Sequence, residues 1–478
     1  MTRILVRAHK HPLAVASAAE TLEQRLIGSN VGNLVFSQAV FRLLSTNTNT
    51  LTTSKLIGER AERINAEFDH LVLPMANTFR ITFLQRDALS ALVERLTIPV
   101  TVIGVGAQAG LTGTYRHAAE ITPSVKRFCR AVLDHSPTIG VRGEFTRRYL
   151  KSLGFGDEHV DVIGCPSMFM FGPELPVQRR SDELGPGSPI ALNVSPYVKA
   201  MGPISLDHAA RYPNLVYFAQ DENTLRLLLW GRYTNDKAEA QRAAGAPVSL
   251  DHPLIRHNRV RFCVDPRTWM EELRAFDFSF GSRIHGNITA LLAGTPALVL
   301  AHDSRTLELA EYHQIPYRSL DLSTGAVDAA ALYAQASWQP MLDGHADRWE
   351  VLARFLDRHG LSHVYANGIN ADDFDAALAA ATYPPAVQTL MGASPEELYA
   401  MKREVHHLRR RHDARRGHPW PALVHRLRAA PGRVKSAMGR LGARRRALPI
   451  PNDASDTAGY TTSASAPEAA APRSAADR

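Results

Sequence analysis

Cysteine is scarce in this sequence: Cys129, Cys165 and Cys263 are the only three among 478 residues. They lie far apart and none belongs to a C-x-x-C pair, which excludes a disulfide framework and a zinc cluster and points to a reducing compartment. Long apolar runs are missing too. The longest, Ala290 to Ala301, is interrupted by Gly294 and Pro296 and falls short of the roughly 20 residues that cross a bilayer. No repeat of solenoid length occurs, and His257, His285, His302 and His313 lack zinc-like spacing. The start, MTRILVRAHKHPLAVASAAE, sets early basic residues before a small-residue run as a signal peptide does. Its apolar part, however, is short and broken by charged and polar residues as far as Pro12. The expectation is a cytoplasmic protein.

Against these absences stands ordinary globular usage, 45% hydrophobic and 21% charged, enough for two domain-sized cores. The net charge of +8 is unevenly spread. Residues 401–446 hold fifteen Lys/Arg and two acids, residues 447–478 two basic and four acidic, so residues 1–400 carry −3. The basicity belongs to a tail, which argues against a body that binds nucleic acid. An anionic membrane surface at the inner face of the membrane is the partner this segment suits, with nonspecific RNA binding or a solvated helix as the alternatives.

Short β-branched runs alternate with helical patterns: Val100 to Val105, Ser124 to His135, Thr138 to Val141, Glu144 to Leu153, Val160 to Ile163. After a Pro/Gly-rich interval at 172–189 the rhythm resumes with Ile190 to Val194, Leu215 to Ala219, Val260 to Val264 and Phe276 to Phe280. It ends with the helix Ile284 to Ala293, the strand Ala297 to Ala301 and the helix Ser304 to His313. The pattern predicts two α/β Rossmann-like lobes, 1–175 and 188–392, a basic helical extension over 393–446 and a disordered tail over 447–478. Ser45 to Ser54 (STNTNTLTTS) reads as a surface loop or mobile connection.

Three segments could carry chemistry. Gly104-Val105-Gly106-Ala107-Gln108-Ala109-Gly110 follows a strand, but its third glycine comes one residue late for G-x-G-x-x-G. The acid expected about twenty residues on is also missing. Arg142 ends a strand, where its planar fork can hold a carboxylate or phosphate; a surface pair with Glu144 is the alternative. Arg283 and His285 flank a strand-to-helix turn at which both can face one site, beside a helix N-terminus that attracts anions. Ser282 is a natural N-cap there, and a structural histidine is the competing account.

The set Asn30-Val31-Gly32-Asn33, Gly104 to Gln108, Val141 to Thr146, Gly164-Cys165-Pro166, Arg283 to Gly286, and Gly294-Thr295-Pro296 with Asp303 resembles the polysaccharide pyruvyl transferase family. Order and spacing agree over roughly residues 28–320. The family's first turn usually ends in aspartate, and this chain has Asn33. The resemblance implies a GT-B-like pair of lobes with the active cleft between them, and transfer of pyruvyl from phosphoenolpyruvate to two hydroxyls of a sugar in a cell-surface or exopolysaccharide glycan. It implies Arg283 and His285 as the catalytic pair, with His285 the general acid. Substrate would be bound by Arg142, Ser282, Gly104, Gly106, Gln108, Asn30, Gly32 and Asn33. No cofactor or metal is expected beyond the donor co-substrate phosphoenolpyruvate; the other partner is a glycan or lipid-linked sugar acceptor. A nucleotide-sugar glycosyltransferase and a non-catalytic glycan-binding relative are the alternative readings.

Overall fold

The computed structural model describes residues 1–416 except 81, 82, 84, 112, 114–117, 321–325 and 393. Met1–Met401 form one compact unit and Lys402–Arg478 a second. Within the first, β1 (Thr2–Arg7), β2 (Asn49–Ser54), β3 (His70–Pro74) and β4 (Val100–Ile103) make a parallel sheet in the order β2-β1-β3-β4. A parallel pair, β5 (Ile139–Val141) and β6 (Val160–Val162), continues it. Pairing of Val105 with Val141 and a 2.9 Å bond from the Gly104 N–H to the Gly140 carbonyl join that pair to β4.

The other sheet contains β7 (Ile190–Asn193), β8 (Leu215–Phe218), β9 (Val260–Arg261), β10 (Phe278–Gly281), β11 (Ala297–Ala301) and β12 (Tyr317–Ser319). Its order is β12-β11-β10-β7-β8-β9, parallel throughout. The fold is therefore mixed α/β with two separate parallel sheets, as the strand-helix rhythm predicts. β7, β10 and β11 are buried along their whole length, which is why they read as continuous apolar runs. In each sheet the chain winds outward in both directions from one point: β1/β3 in the first, β7/β10 in the second. Such switch points leave a crevice at the carboxyl ends of the strands, where ligands of open α/β sheets bind.

Three features depart from the sequence reading. Residues 49–54 of the expected loop are β2, registered against β1 from Thr2↔Asn49 to Arg7↔Ser54. β-branched threonines suit an edge strand half open to water, so polar composition concealed it. Pro123, at the margin of the expected 124–135 helix, lies inside Ala118–Leu133. The segment after 344, assigned above to the second lobe, returns to the first. Trp349, Leu352, Phe355 and Leu356 of the helix His345–Arg358 cluster with Ile4, Val6, Val72 and Ile103 on one face of the first sheet. A 2.9 Å bond from the Val364 N–H to the Leu43 carbonyl and an Arg42–Asp375 ion pair at 2.6 Å extend that return. The charged helix runs Pro395–Arg416; the rest of the basic extension and the expected disordered tail lie outside the described residues. No helix among the described residues is long and apolar enough to cross a membrane.

Candidate functional site

A cleft of about 900 Å³ opens between the carboxyl ends of the two sheets. The residue ending β1 and the loops after β3 and β5 supply Arg7, Arg80 and Arg142 to its first-lobe wall. The loops after β10 and β11 bring Arg283, His285, His302 and Arg305 to the other.

Arg142 follows β5 and is almost completely buried. The surface pair with Glu144 does not form, because Glu144 bonds Arg147 instead. The Arg142 Nε donates to the Gly104 carbonyl at 3.1 Å, whereas its Nη2 has no partner among the described residues. Burial holds this guanidinium below its usual pKa. A buried cation with a free donor is costly unless a ligand completes it. The glycine loop after β4 acts on Arg142 by what it omits. A Cβ at Gly106 would collide with the Arg142 side chain, and Gly104 adopts φ +72°, a left-handed turn that side chains resist. Neither glycine lines the cleft. Gln108 does, and its amide oxygen accepts from Asn77 Nδ2 at 3.0 Å.

A carboxylate from the other lobe completes the first turn of the helix Glu144–Ser152. Its N-cap, Gly143, has no side chain to offer; Glu308 accepts the Thr146 N–H at 3.0 Å and the Thr146 hydroxyl at 2.9 Å. The Thr146 oxygen in turn accepts the Ala107 N–H at 3.0 Å. Burial raises the Glu308 pKa to about 7, against the opposing pull of Arg142.

On the second lobe, Arg283 is itself the N-cap of the helix Ile284–Leu292, in extended conformation, and His285 is the second helical residue; both line the cleft. Ser282, expected as the cap, instead accepts the Ser195 N–H at 2.9 Å, so its hydroxyl serves the turn. That turn is held by buried amides. Asn193 Nδ2 reaches Ser279 Oγ at 2.9 Å and Asn287 Oδ1 at 3.1 Å, and Gln220 donates to the Asn193 Oδ1 at 3.0 Å. A network satisfied in this way fixes backbone geometry. Arg283 lies 3.7 Å from Asp221, its guanidinium 5.6 Å from the Tyr197 ring centre. His285 Nε2 is 3.7 Å from the Cys165 Sγ, and a Cβ at Gly32 would come 2.8 Å from its own Cβ. Burial, then Arg142 and Arg305, push the His285 pKa down to about 3. These surroundings favour the neutral imidazole, so the acid role expected of His285 needs a further source of charge stabilisation.

Asn30 and Asn33 also line the cleft. The Asn30 side-chain Oδ1 accepts the Gly32 N–H at 2.8 Å, and Asn33 Nδ2 donates to the Ile27 carbonyl at 3.0 Å. The turn is tied to the other lobe by the Val31 N–H donating to the Gln220 carbonyl at 2.9 Å.

Sequence reasoning missed Arg7, Arg80, Tyr197 and Arg305. Arg80 Nε has no partner among the described residues, and burial followed by Arg305 lowers its pKa. Arg305 donates from Nε to Asp303 at 2.8 Å and from Nη2 to the Tyr197 hydroxyl at 3.4 Å. Each follows or ends a strand closely, the criterion that singled out Arg142. Four guanidiniums, those of Arg80, Arg142, Arg283 and Arg305, thus line the cleft with Lys237 and two carboxylates, Asp221 and Asp236, while Asp303 pairs with Arg305. The surplus suits a ligand with more than one negative charge.

The sequence profile described as polysaccharide pyruvyl transferase matches residues 30–304. No curated protein matches the chain. Similar solved structures include UDP-GlcNAc 2-epimerase from Neisseria meningitidis bound to UDP-GlcNAc, at 12% identity and TM-score 0.38, covering 75% of this chain and 100% of that one. The UDP-GlcNAc 2-epimerase of Methanocaldococcus jannaschii gives 10% and 0.40 over 75% and 99%. An Anabaena protein in complex with UDP and glucose gives 10% and 0.37 over 76% and 97%.

Proposed function

This chain belongs to the polysaccharide pyruvyl transferase family, and on that premise we propose that it transfers the pyruvyl unit of phosphoenolpyruvate to two hydroxyls of a glycan sugar. The product is a ketal and the leaving group phosphate. The observation that carries the reading is the pair of uncompensated guanidinium donors, Arg142 Nη2 and Arg80 Nε, in a cleft that also holds His285. Phosphoenolpyruvate presents a carboxylate and a phosphate, and planar cations grip both.

In this scheme the methylene carbon takes a proton from His285, one sugar hydroxyl bonds to C2, and the second displaces phosphate. Of the two hydroxyl protons, one restores His285 and the other leaves with phosphate. His285 must gain its charge from the donor. Burial is the larger cause of the low His285 pKa; an anion bound on Arg142 and Arg305 offsets the share that these two add, which raises the pKa in the complex. Protonation is thereby tied to occupancy.

Phosphate release from phosphoenolpyruvate, measured with β-galactoside and N-acetylmannosamine lipid acceptors, tests the proposal. Release of nucleotide from a UDP-sugar in its place would make the chain a glycosyltransferase, and turnover of neither donor would leave a glycan-binding protein. The basic extension we assign to an anionic membrane surface, at an attraction of about 1 kcal/mol per basic residue close to the lipid. Equal flotation on anionic vesicles of the full chain and of a chain ending at Ala400 would refute that assignment.

A further inference from the structure

The donor pole draws Arg80 from the loop after β3 and Arg283 from the second sheet's turn, and leaves the end of β1 unassigned. There β1 ends in Arg7, followed by Ala8 and His9, and all three line the cleft with Asn33 and Gly28. The Arg7 side chain makes no hydrogen bond or ion pair among the described residues, and burial alone shifts its pKa, downward. His9 is pushed down to about 4 by burial, then by Arg7 and Lys55. No carboxylate acts on either group. Of the two acids lining the cleft, Asp221 and Asp236, Asp221 is engaged with Thr224 and Arg283.

Gly28 forms the floor of this corner. A Cβ there would lie 2.9 Å from His9 Nε2 and 3.3 Å from Asn33 Nδ2, so the ring and the amide flank one point. An aspartate at position 33 would set a carboxylate beside His9; asparagine leaves the corner positive.

We propose that Arg7, His9 and Asn33 form a second oxyanion subsite, separate from the donor pole, which takes the negatively charged group of the acceptor: a hexose bearing a phosphate or a carboxylate. The assignment of the anion to an acceptor rests on the pyruvyl-transfer reading; the existence of the subsite does not. Its position at the carboxyl end of β1, beside the first sheet's switch point, is where ligands of open α/β sheets bind. A half-buried cation whose side chain has no partner gains most from an ionised oxygen.

Calorimetry on the full chain tests this with glucose 1-phosphate, glucuronate and glucose, each added with and without phosphoenolpyruvate. One or both charged sugars should bind more tightly than glucose and leave phosphoenolpyruvate affinity intact. The better of the two identifies the anion. Arg7→Gln should weaken that sugar about tenfold or more, the scale of a lost charge-assisted contact, and Arg7→Lys should recover part of it. Asn33→Asp should weaken it as well, and Arg142→Gln should weaken phosphoenolpyruvate alone. Displacement of phosphoenolpyruvate by the charged sugars, indifference to Arg7→Gln in a folded variant, or no preference over glucose would each overturn the subsite. Should phosphoenolpyruvate itself fail to bind while the Arg7-dependent sugar binds, the donor reading falls and the subsite stands.

Discussion

The two lobes achieve the same architecture with different degrees of self-sufficiency. The second bonds its turn residues to one another through Asn193, Ser279 and Asn287 and sets its cleft arginines near carboxylates, Arg305 with Asp303 and Arg283 with Asp221, although Val31, Leu34, Val35 and Phe36 of the first lobe share its core. The first borrows. One face of its sheet is covered by the helix His345–Arg358, a helix beginning at its Gly143 is capped by Glu308, and its cleft arginines Arg7, Arg80 and Arg142 lack a salt-bridge partner among the described residues. The lesson is that the rigid half presents the turn while the dependent half is completed by what binds to it, so chemistry and stability should respond to different halves.

The sharpest way to break that contrast is to remove the borrowed packing. Phe355→Ala empties a side chain shared by the returning helix and the first sheet, at an expected cost of about 3–5 kcal/mol. Denaturant unfolding should show it, and a loss under 1 kcal/mol would mean the helix is dispensable.

Next in size is His285→Ala, expected to lower turnover roughly a hundredfold with the melting temperature little changed. Wild-type kcat should fall as pH rises through the value His285 acquires in the donor complex, and the variant should lose that limb. Near-normal turnover with the same pH profile would make His285 a structural residue.

Acid should loosen the first lobe. His359, at the end of the returning helix, bonds Thr101 at 3.1 Å and Thr138 at 3.0 Å, and His70 bonds Thr101 at 2.8 Å. Burial holds His359 at about 3, helped by His70, and His70 at about 4. The unfolded chain, with histidines near 6.5, binds more protons, so the stability these groups confer is complete above pH 6.5 and declines as pH falls toward 3–4. Hydrogen exchange at pH 7 and pH 5 should show the first sheet and the helix His345–Arg358 losing protection. Protection unchanged there between the two would contradict the assignment.

The mildest perturbation is Glu308→Gln. An amide oxygen can still accept the Thr146 N–H, so folding should be nearly unaffected, within about 1 kcal/mol. A wild-type stability or activity limb near pH 7 should vanish in the variant, because burial places the carboxyl there. Persistence of that limb would assign it elsewhere.

Much of the second lobe was legible in the sequence because its central strands are buried on both faces and spell continuous apolar runs, Ala297–Ala301 above all. The first lobe hid its edge strand β2 under threonine and asparagine, and periodicity carries no sign of a helix that leaves one lobe to cover another. At the site, Arg142, Arg283 and His285 stood out because turn and strand signals bracket them. Arg80, Tyr197 and Arg305 join them only through the juxtaposition of two sheets, and Arg7 belonged to a segment whose basic start imitates a leader. The family's spacing located the turn at 282–286 but carried no information on the charge of His285, which depends on guanidiniums more than a hundred residues away in sequence or one turn along another helix.

The trans cap by Glu308 has a consequence for inheritance. A residue on one half finishes a helix of the other and, through Thr146 and Ala107, steadies the loop beside Arg142. Positions 146 and 308 are thus a single unit of variation split across the chain. Halves from divergent relatives could not be exchanged as independent cassettes, since a recombinant inheriting one member of the pair without the other would assemble both sheets around a misaligned arginine.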